Sequence, residues 1–380
     1  MKIVCFVTAS FYPSIGGVET YILELGKKMQ LHGYQIYVVT SHRPNTATYE
    51  IYDSIHIYRF PAIFLFDGRL NTILPSRRLY TFLKTKVLSK RAIIITNTRF
   101  YLGSVLCARY ANKHQLPAIH IEHGSGHIAL SSDLANQLGR IYDHVLGTLL
   151  RKSIQYAFGV SKASSSWLEH FGIISSGELY NAIDDKGTIS NIDFRGYLNN
   201  SQDILVTYVG RITEDKGYRD LIDAFLKAYE INTNMMLLIA GDGPQFDKMN
   251  LKITGHDHIR ALGAISHPDV MKLLNDSDVF VFPSKCKEGM PTTVLEAGLM
   301  KCAIIATPQG GVPEVVEHER NGLIVNPSDI SNMADYILNL STHPDLIIQY
   351  GASVHEKIVN QFSWSVVANK LDQVIKSMNQ

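Results

Sequence analysis

Short apolar runs recur along the chain, and each is followed by a longer stretch whose apolar positions fall at helical spacing. "KIVCFVT" at 2–8 passes through a glycine-containing loop into "ETYILELGKKMQLHG", where Ile22, Leu25 and Met29 form one stripe. "QIYVVTS", "IHIYRF", "AIIITN", "AIHIEH" and "YAFGVS" follow as further strands, with helical patterns at 73–89, 102–114 and 137–155. Near-continuous apolar strands alternating with helices predict a parallel sheet covered on both faces. After Asp184 the polar run "DKGTISNIDFRGYLNNSQD" reads as a linker, and the pattern then restarts with "LVTYVGR", "MMLLIAGDG", "IRALG", "VFVFPS" and "AIIATP". A helix is expected over "GYRDLIDAFLKAYE" at 217–230, and the chain reads as helical from Pro327 to its end. The expectation is an α/β protein with two Rossmann-like, doubly wound halves. Residues 1–184 form an N-terminal domain, 185–203 the linker and 204–360 a second domain. A C-terminal helix at 361–380 is expected to pack back on the first domain. Ligands of such sheets bind beyond the carboxyl ends of the strands.

Length supports this division, since 380 residues exceed one ordinary core. With 46% apolar and 19% charged residues, the composition is that of a soluble globular protein. A net charge of +1 argues against a nucleic-acid binder, and no nucleic-acid-binding motif is evident. The charge is unevenly spread, however. Between Ser54 and Ile121, eleven Lys and Arg face a single acid, Asp67. Cys5, Cys107, Cys286 and Cys302 show no CxxC spacing, so free thiols in a reducing cytoplasm are expected. The opening "MKIVCFVTAS" lacks a small-x-small cleavage site, and no run is long enough to span a bilayer.

Chemistry concentrates in a few stretches. "EGMPTTVLEAG" at 288–298 places Glu288 in a loop ahead of Pro291, which favours a first helical turn. Thr292 and Glu296 would then share one helical face. The free N–H groups of that turn favour an anion, so the stretch reads either as an anion site between two hydroxyl-seeking carboxylates or as a capped helix with two solvated acids. "SIGGVET" sets Gly16 and Gly17 between the first strand and its helix, where backbone N–H groups approach a diphosphate or a plain tight turn forms. In "VGRITEDKGYRDLI", Arg211 and Lys216 end a strand and open a helix; they suit a diphosphate, or form a surface pair balanced by Glu214 and Asp215. His123 in "IEHGSGH" follows a strand and can bond a sugar hydroxyl or shuttle a proton. His127 and Glu122 could join it as metal ligands, but the intervening Gly-Ser-Gly is not helical, and no metal site is assigned. Asp276-Ser-Asp278 runs directly into an apolar strand, and its likeness to a metal-binding DxD is discounted.

Taken together, Gly16-Gly17, "GR" at 210–211, "KG" at 216–217, "GDGP" at 241–244, "PS" at 283–284 and the carboxylates at 288 and 296 resemble glycosyltransferase family 4. The resemblance covers nearly the whole chain and is strongest from about 205 to 327. It implies the GT-B fold, with two Rossmann-like domains facing a central cleft. It also implies retaining, metal-independent transfer of a sugar from a nucleotide-diphosphate donor, with the nucleotide-sugar a co-substrate and no cofactor. Arg211 and Lys216 would hold the diphosphate, Glu288 the sugar hydroxyls and Glu296 the ribose. Gly289, Met290, Pro291 and Thr292 would face sugar or phosphate, His123 would touch the sugar, and the backbone near Ile265 would read the base. The chain departs from the family in two places: "NAID" replaces the usual NG(V/I)D, so a left-handed turn at Ala182 would be strained, and "KCKEGM" precedes the helix without the Phe often found after the Gly.

Residues 69–91, "RLNTILPSRRLYTFLKTKVLSKR", carry seven basic residues and no acid. A basic amphipathic helix in the acceptor-binding first domain suits an anionic membrane surface or a lipid-linked acceptor, though a solvated helix with a covered apolar face fits as well. The expectation is a transferase building a cell-envelope polysaccharide, such as lipopolysaccharide, or a glycolipid. It would work in the cytoplasm, peripheral on the inner face of the membrane. A nucleotide-sugar epimerase on the same fold and a non-catalytic sugar-nucleotide-binding subunit are the alternatives.

Overall fold

Strand β1 (Lys2–Val7) reads KIVCFV, and every residue after Lys2 is buried, as in a strand covered on both faces. In the computed structural model it lies inside a seven-stranded sheet with β2 (Tyr34–Ser41), β3 (Tyr49–Tyr52), β4 (Ile55–Phe60), β7 (Ile93–Asn97), β8 (Ala118–Glu122) and β9 (Tyr156–Gly159). The order is β3-β4-β2-β1-β7-β8-β9. All pairings are parallel except that of β3 with β4. A separate hairpin joins β5 (Ala62–Leu65) to β6 (Leu70–Ile73). The structure describes residues 2–14, 16–65, 70–127, 133–184 and 189–378.

The helices of this unit are α1 (Gly17–Leu31), α2 (Arg77–Phe82), α3 (Leu102–Lys113), α4 (Asp133–Arg151) and α5 (Lys162–Glu169). In α1 the expected stripe, Ile22, Leu25 and Met29, is buried. Ser76 caps α2, which continues as a π-helical segment, Leu83–Leu88. Leu79, Phe82, Leu83 and Val87 are buried there, while Arg77, Arg78, Lys84, Lys86, Lys90 and Arg91 are exposed. Within the basic stretch 69–91, Arg69 lies outside the described residues; in the rest, the apolar face is covered and the cations are solvated.

A second sheet, parallel throughout, has the order β12-β11-β10-β13-β14-β15. Its strands are β10 (Ile204–Val209), β11 (Met235–Ala240), β12 (Ile259–Gly263), β13 (Val279–Phe282), β14 (Ala303–Ala306) and β15 (Leu323–Ile324). Around it pack α6 (Tyr218–Tyr229), α7 (Phe246–Ile253), α8 (His267–Asp276), α9 (Thr292–Leu299), α10 (Val312–Val315), α11 (Ile330–Thr342) and α12 (Pro344–Gln361). The last helix, α13 (Trp364–Ser377), returns to the first unit and packs on α1. Trp364 meets Tyr21 edge to face at 5.2 Å, and Tyr34 donates to Asp372 at 2.9 Å.

By contacts the chain divides into Met1–Asn181 with Trp364–Gln380, and Ala182–Ser363. Of the polar stretch 185–203, residues 185–188 lie outside the described residues. The remainder goes with the second unit, because Phe194 packs in a cluster with Leu205, Met236, Leu238 and Leu273. Arg195 bonds the Asp278 carboxylate at 3.1 Å. Phe194, Leu198 and the Arg195 ion pair, with the Ser190 N–H bonded to Pro268 O at 3.2 Å, thus tie down a segment whose composition alone suggests a spacer. Ala182 is buried and does not take a positive φ, so the alanine introduces no left-handed strain.

Because Leu371 of α13 is fully buried, Leu371→Ala is expected to cost about 2–5 kcal/mol. The cost would be read as a lower midpoint in urea unfolding of the first unit. Lys370→Ala, on the exposed side of the same helix, should leave that midpoint unchanged.

Candidate active site

In the second unit the loops after β10, β11 and β13 bring the predicted groups together. Beyond β10, Gly210 and Arg211 lead into a short 3-10 turn, Glu214–Lys216, which ends at Gly217 with φ 75°. A Cβ on Gly217 would lie 2.1 Å from the carbonyl oxygen of Pro283, so only glycine lets this turn sit against the end of β13. That contact delivers Lys216 to the loop after β13, where its Nζ pairs with Glu288 Oε1. Ser284 Oγ and Cys286 Sγ each donate to the same carboxylate oxygen at 3.2 Å. From behind, Gly310 (φ 57°) backs onto the carbonyls of Glu288 and Gly289, where a Cβ would come within 2.4 and 2.5 Å. Gly311 N–H closes the turn by donating to Gly289 O at 2.7 Å. Both partners of the ion pair are therefore held by backbone packing.

Burial works against the charge on Lys216, but the Glu288 carboxylate outweighs it and raises the ammonium pKa above its ordinary value. Arg211 is exposed and shares a cavity of about 270 Å³ with Gly210, Gly241, Asp242 and Ile265 at the carboxyl ends of β10 and β11. Arg211 and Ile265 thus line one space.

Helix α9 begins at Thr292, with Pro291 as its extended N-cap (φ −71°, ψ 116°), one residue later than its sequence suggests. Pro291 has no N–H to offer, so the donors of this first turn come from its neighbours. Met290 and Pro291 are buried, while Gly289 and Thr292 are partly open. One turn further, Glu296 is 9% exposed and accepts from His267 Nε2 at 3.0 Å. His267, at the start of α8, has its pKa raised by that bond against the opposing effect of burial. The sequence reading did not single out His267. Its only local signal is the Ser266 cap followed by His-Pro, which marks a helix start and nothing more.

In the first unit, Gly16 is the extended N-cap of α1 and Gly17 its first residue. His123 leaves the end of β8 and donates from Nε2 to Asn97 Oδ1 at 2.9 Å. The Asn97 amide nitrogen is committed to Val7 O, which fixes the acceptor and leaves the lone pair on His123 Nδ1. Tyr21 meets the imidazole edge to face at 4.8 Å. Burial lowers the His123 pKa from 6.5 to about 4, His120 adds to the shift, and Glu122 opposes it.

Beneath His123 lies a buried charge network that the sequence reading missed. Arg99 Nη1 pairs with Glu122 at 2.8 Å and Nη2 with Asp143 at 2.9 Å, all three side chains being fully buried. Despite its burial, Glu122 is held well below the usual carboxylate range by Arg99, with help from His120 and the Gly124 N–H. Its Oε1 accepts from the N–H groups of His123 and Gly124 at 3.1 and 3.0 Å. Glu122, His123 and His127 therefore do not converge as a ligand set: Glu122 faces Arg99, His123 faces Asn97 and His127 faces Asp143. In the second unit, Asp276 is engaged by Lys272 and the Phe194 N–H, and Asp278 by Arg195 and the Leu205 N–H. Both acids of the DxD-like stretch hold the fold.

The family described as Glycosyltransferase Family 4 matches residues 15–186, and that described as Glycosyl transferases group 1 matches residues 190–354. An uncharacterized glycosyltransferase of Methanocaldococcus jannaschii is 26% identical over 99% of both chains. The N-acetyl-alpha-D-glucosaminyl L-malate synthase of Bacillus anthracis is 24% identical, over 96% of this chain and 94% of its own. Among solved structures, Anabaena HepE in complex with UDP has a TM-score of 0.77 at 18% identity, covering 99% of this chain and all of HepE. With its two halves matched in order and its fold shared, the chain belongs to glycosyltransferase family 4 and is a hexosyltransferase of GT-B fold.

Proposed function

We propose that the protein transfers a hexose from a UDP-sugar, with retention and without a catalytic metal, to a lipid-linked or polysaccharide acceptor of the cell envelope. The observation that carries this reading is the Lys216–Glu288 pair, which joins the turn after β10 to the loop after β13 that leads into α9. A diphosphate bound there takes Lys216 and Arg211 as counter-ions, each charge-assisted contact worth about 1.5–3 kcal/mol. Glu288, relieved of its lysine, accepts from the sugar hydroxyls, while Glu296 and His267 meet the ribose. The base lies in the cavity beside Ile265, and His123 accepts a sugar hydroxyl at Nδ1.

As the glycosidic bond breaks, negative charge grows on the departing nucleotide. Cations and helix N–H groups already in place stabilise that charge more than they stabilise the ground state, which lowers the barrier. Fixed side-chain cations supply here what a metal supplies in other transferases. The acceptor then attacks the face that the nucleotide leaves. Support for the uridine nucleotide comes from the HepE complex, and for a hexosamine-type donor from the name of the Bacillus anthracis synthase.

Membrane association of the acceptor-binding unit draws support from α4, where Leu134, Leu138, Ile141 and Val145 form an exposed apolar stripe at helical spacing. No helix among the described residues is long and apolar enough to cross a membrane. We assign insertion to this stripe and attraction to an anionic cytoplasmic leaflet to the exposed cations between Arg77 and Arg91.

Four experiments test these assignments. Lys216→Ala and Glu288→Ala are each expected to lower kcat for transfer by about 10²–10³-fold, as removal of one preorganised electrostatic group does. The parent should slowly hydrolyse its UDP-sugar in the absence of acceptor; isomerised sugar would indicate an epimerase, and no turnover at all a silent subunit.

Because His123 binds its proton more weakly folded than unfolded, the unfolded state takes up protons first as pH falls. Its contribution to stability is therefore complete above about pH 6.5 and is lost as pH falls towards 4. His123→Gln should flatten this part of the pH-stability curve, measured by urea unfolding, and leave the lower-pH loss that comes from Glu122.

Leu138→Glu with Ile141→Glu should abolish co-sedimentation with phosphatidylglycerol vesicles and leave hydrolysis of the soluble donor unchanged. Unaltered sedimentation would remove α4 from the membrane contact.

A further inference from the structure

Three histidines remote in sequence meet on the first unit. His127 lies in the loop after β8, His144 lies in α4, and His170 follows the last residue of α5. Their nearest ring nitrogens all lie within 4.8 Å of one another. The ring centroids are 5.7 Å apart for His127 and His144, 5.4 Å for His127 and His170, and 4.9 Å for His144 and His170. A zinc ion bound at about 2.0–2.1 Å by three imidazoles in tetrahedral array puts their centroids about 5.3 Å apart. The centroids are close to that spacing, while the nitrogens, which a tetrahedral ion needs about 3.3 Å apart, close in when the exposed His144 and His170 rings turn about their side-chain torsions.

We propose that His127, His144 and His170 form a divalent-metal site, selective for zinc-like ions, with a fourth position open to water. His127 is prepared as a ligand. Its Nδ1 donates to the buried Asp143 at 2.8 Å, which leaves the lone pair on Nε2. A carboxylate behind a ligating imidazole fixes the tautomer and increases the basicity of the metal-binding nitrogen. Asp143 is itself held by Arg99 at 2.9 Å, so the orientation of His127 is set from within the core.

The other ligands are positioned as well. The indole of Trp167 stacks on His170 at 4.7 Å and meets His127 edge-on at 4.9 Å. Phe171 packs at 5.0 Å against His144. His170 also sits at the carboxyl end of α5, where the helix dipole favours a cation. Nitrogen-only donors suit Zn²⁺, Ni²⁺ and Cu²⁺ over Mg²⁺ or Ca²⁺. The site is separate from the Lys216–Glu288 donor site and does not depend on that reading. It ties the loop that carries His123 to α4 and α5.

The test uses the full-length chain, freed of any affinity tag and stripped with EDTA, titrated calorimetrically with ZnCl₂ and spectroscopically with CoCl₂. One equivalent of Zn²⁺ at micromolar or tighter dissociation constant is expected. Co²⁺ should give the visible absorption of a tetrahedral nitrogen site, and Cu²⁺ should quench Trp167 fluorescence. His144→Ala and His170→Ala, both on the surface, should each weaken binding at least tenfold without changing the far-UV dichroism spectrum. The proposal is overturned if no saturable binding occurs below 100 µM (about the affinity of stray surface imidazoles), or if one-equivalent binding survives in the double variant. Survival would place the ion elsewhere, with the thiols as first suspects.

Discussion

Parallel strand pairing is the constraint from which the rest of this molecule follows. Every strand of the six-stranded sheet runs the same way, so each must be followed by a crossover, and all the carboxyl ends open at one edge. The loops after β10, β11 and β13 therefore gather there, although they lie far apart in the chain. Gathering alone does not make a site, because loops of ordinary residues cannot approach closely enough. Gly217 and Gly310 allow backbone to touch backbone, and this contact sets Lys216 opposite Glu288 across 72 residues of sequence.

Such a pair also explains why the site tolerates its own charge. An ammonium partly withdrawn from water is costly without a partner, and the carboxylate provides one. Glu296 follows the same logic with His267, whose imidazolium is favoured by the bond it makes.

Much of this was legible in the sequence because it is local. Apolar runs alternating with helical stripes pointed to both sheets, and the ordered set of motifs from Gly16-Gly17 to the carboxylates at 288 and 296 carried the resemblance to the family. What could not be read depends on distant residues. The short antiparallel edge strand β3 and the hairpin of β5 with β6 have no distinctive apolar pattern of their own. His267 looks like a helix start until Glu296 is seen beside it. The segment from 189 to 203 looks like a spacer because its polar residues dominate its composition, whereas Phe194, Leu198, Arg195 and the Ser190 N–H anchor it to the second unit. Arg99 is one of eleven Lys and Arg in the basic segment 54–121, and nothing nearby in sequence separates a buried arginine from a solvated one.

That buried arginine nonetheless organises the first unit. Its planar guanidinium reaches Glu122, Asp143 and the Gly126 carbonyl at once, and lies over the Phe171 ring with its carbon 4.3 Å from the centroid. An ammonium offers no such fork and no flat face to stack, so lysine is not an equivalent here. Glu122 holds the residues just after β8 through the His123 and Gly124 N–H groups, and Asp143 holds His127. One cation thus fixes both carboxylates that hold the described stretch 123–127. Loss of Arg99 would leave two carboxylates buried without it, a change of the kind that costs about 3–5 kcal/mol. The His127 imidazole therefore owes its tautomer to a carboxylate that Arg99 holds within the core, whereas the neutral state of His123 comes from burial and its tautomer from Asn97.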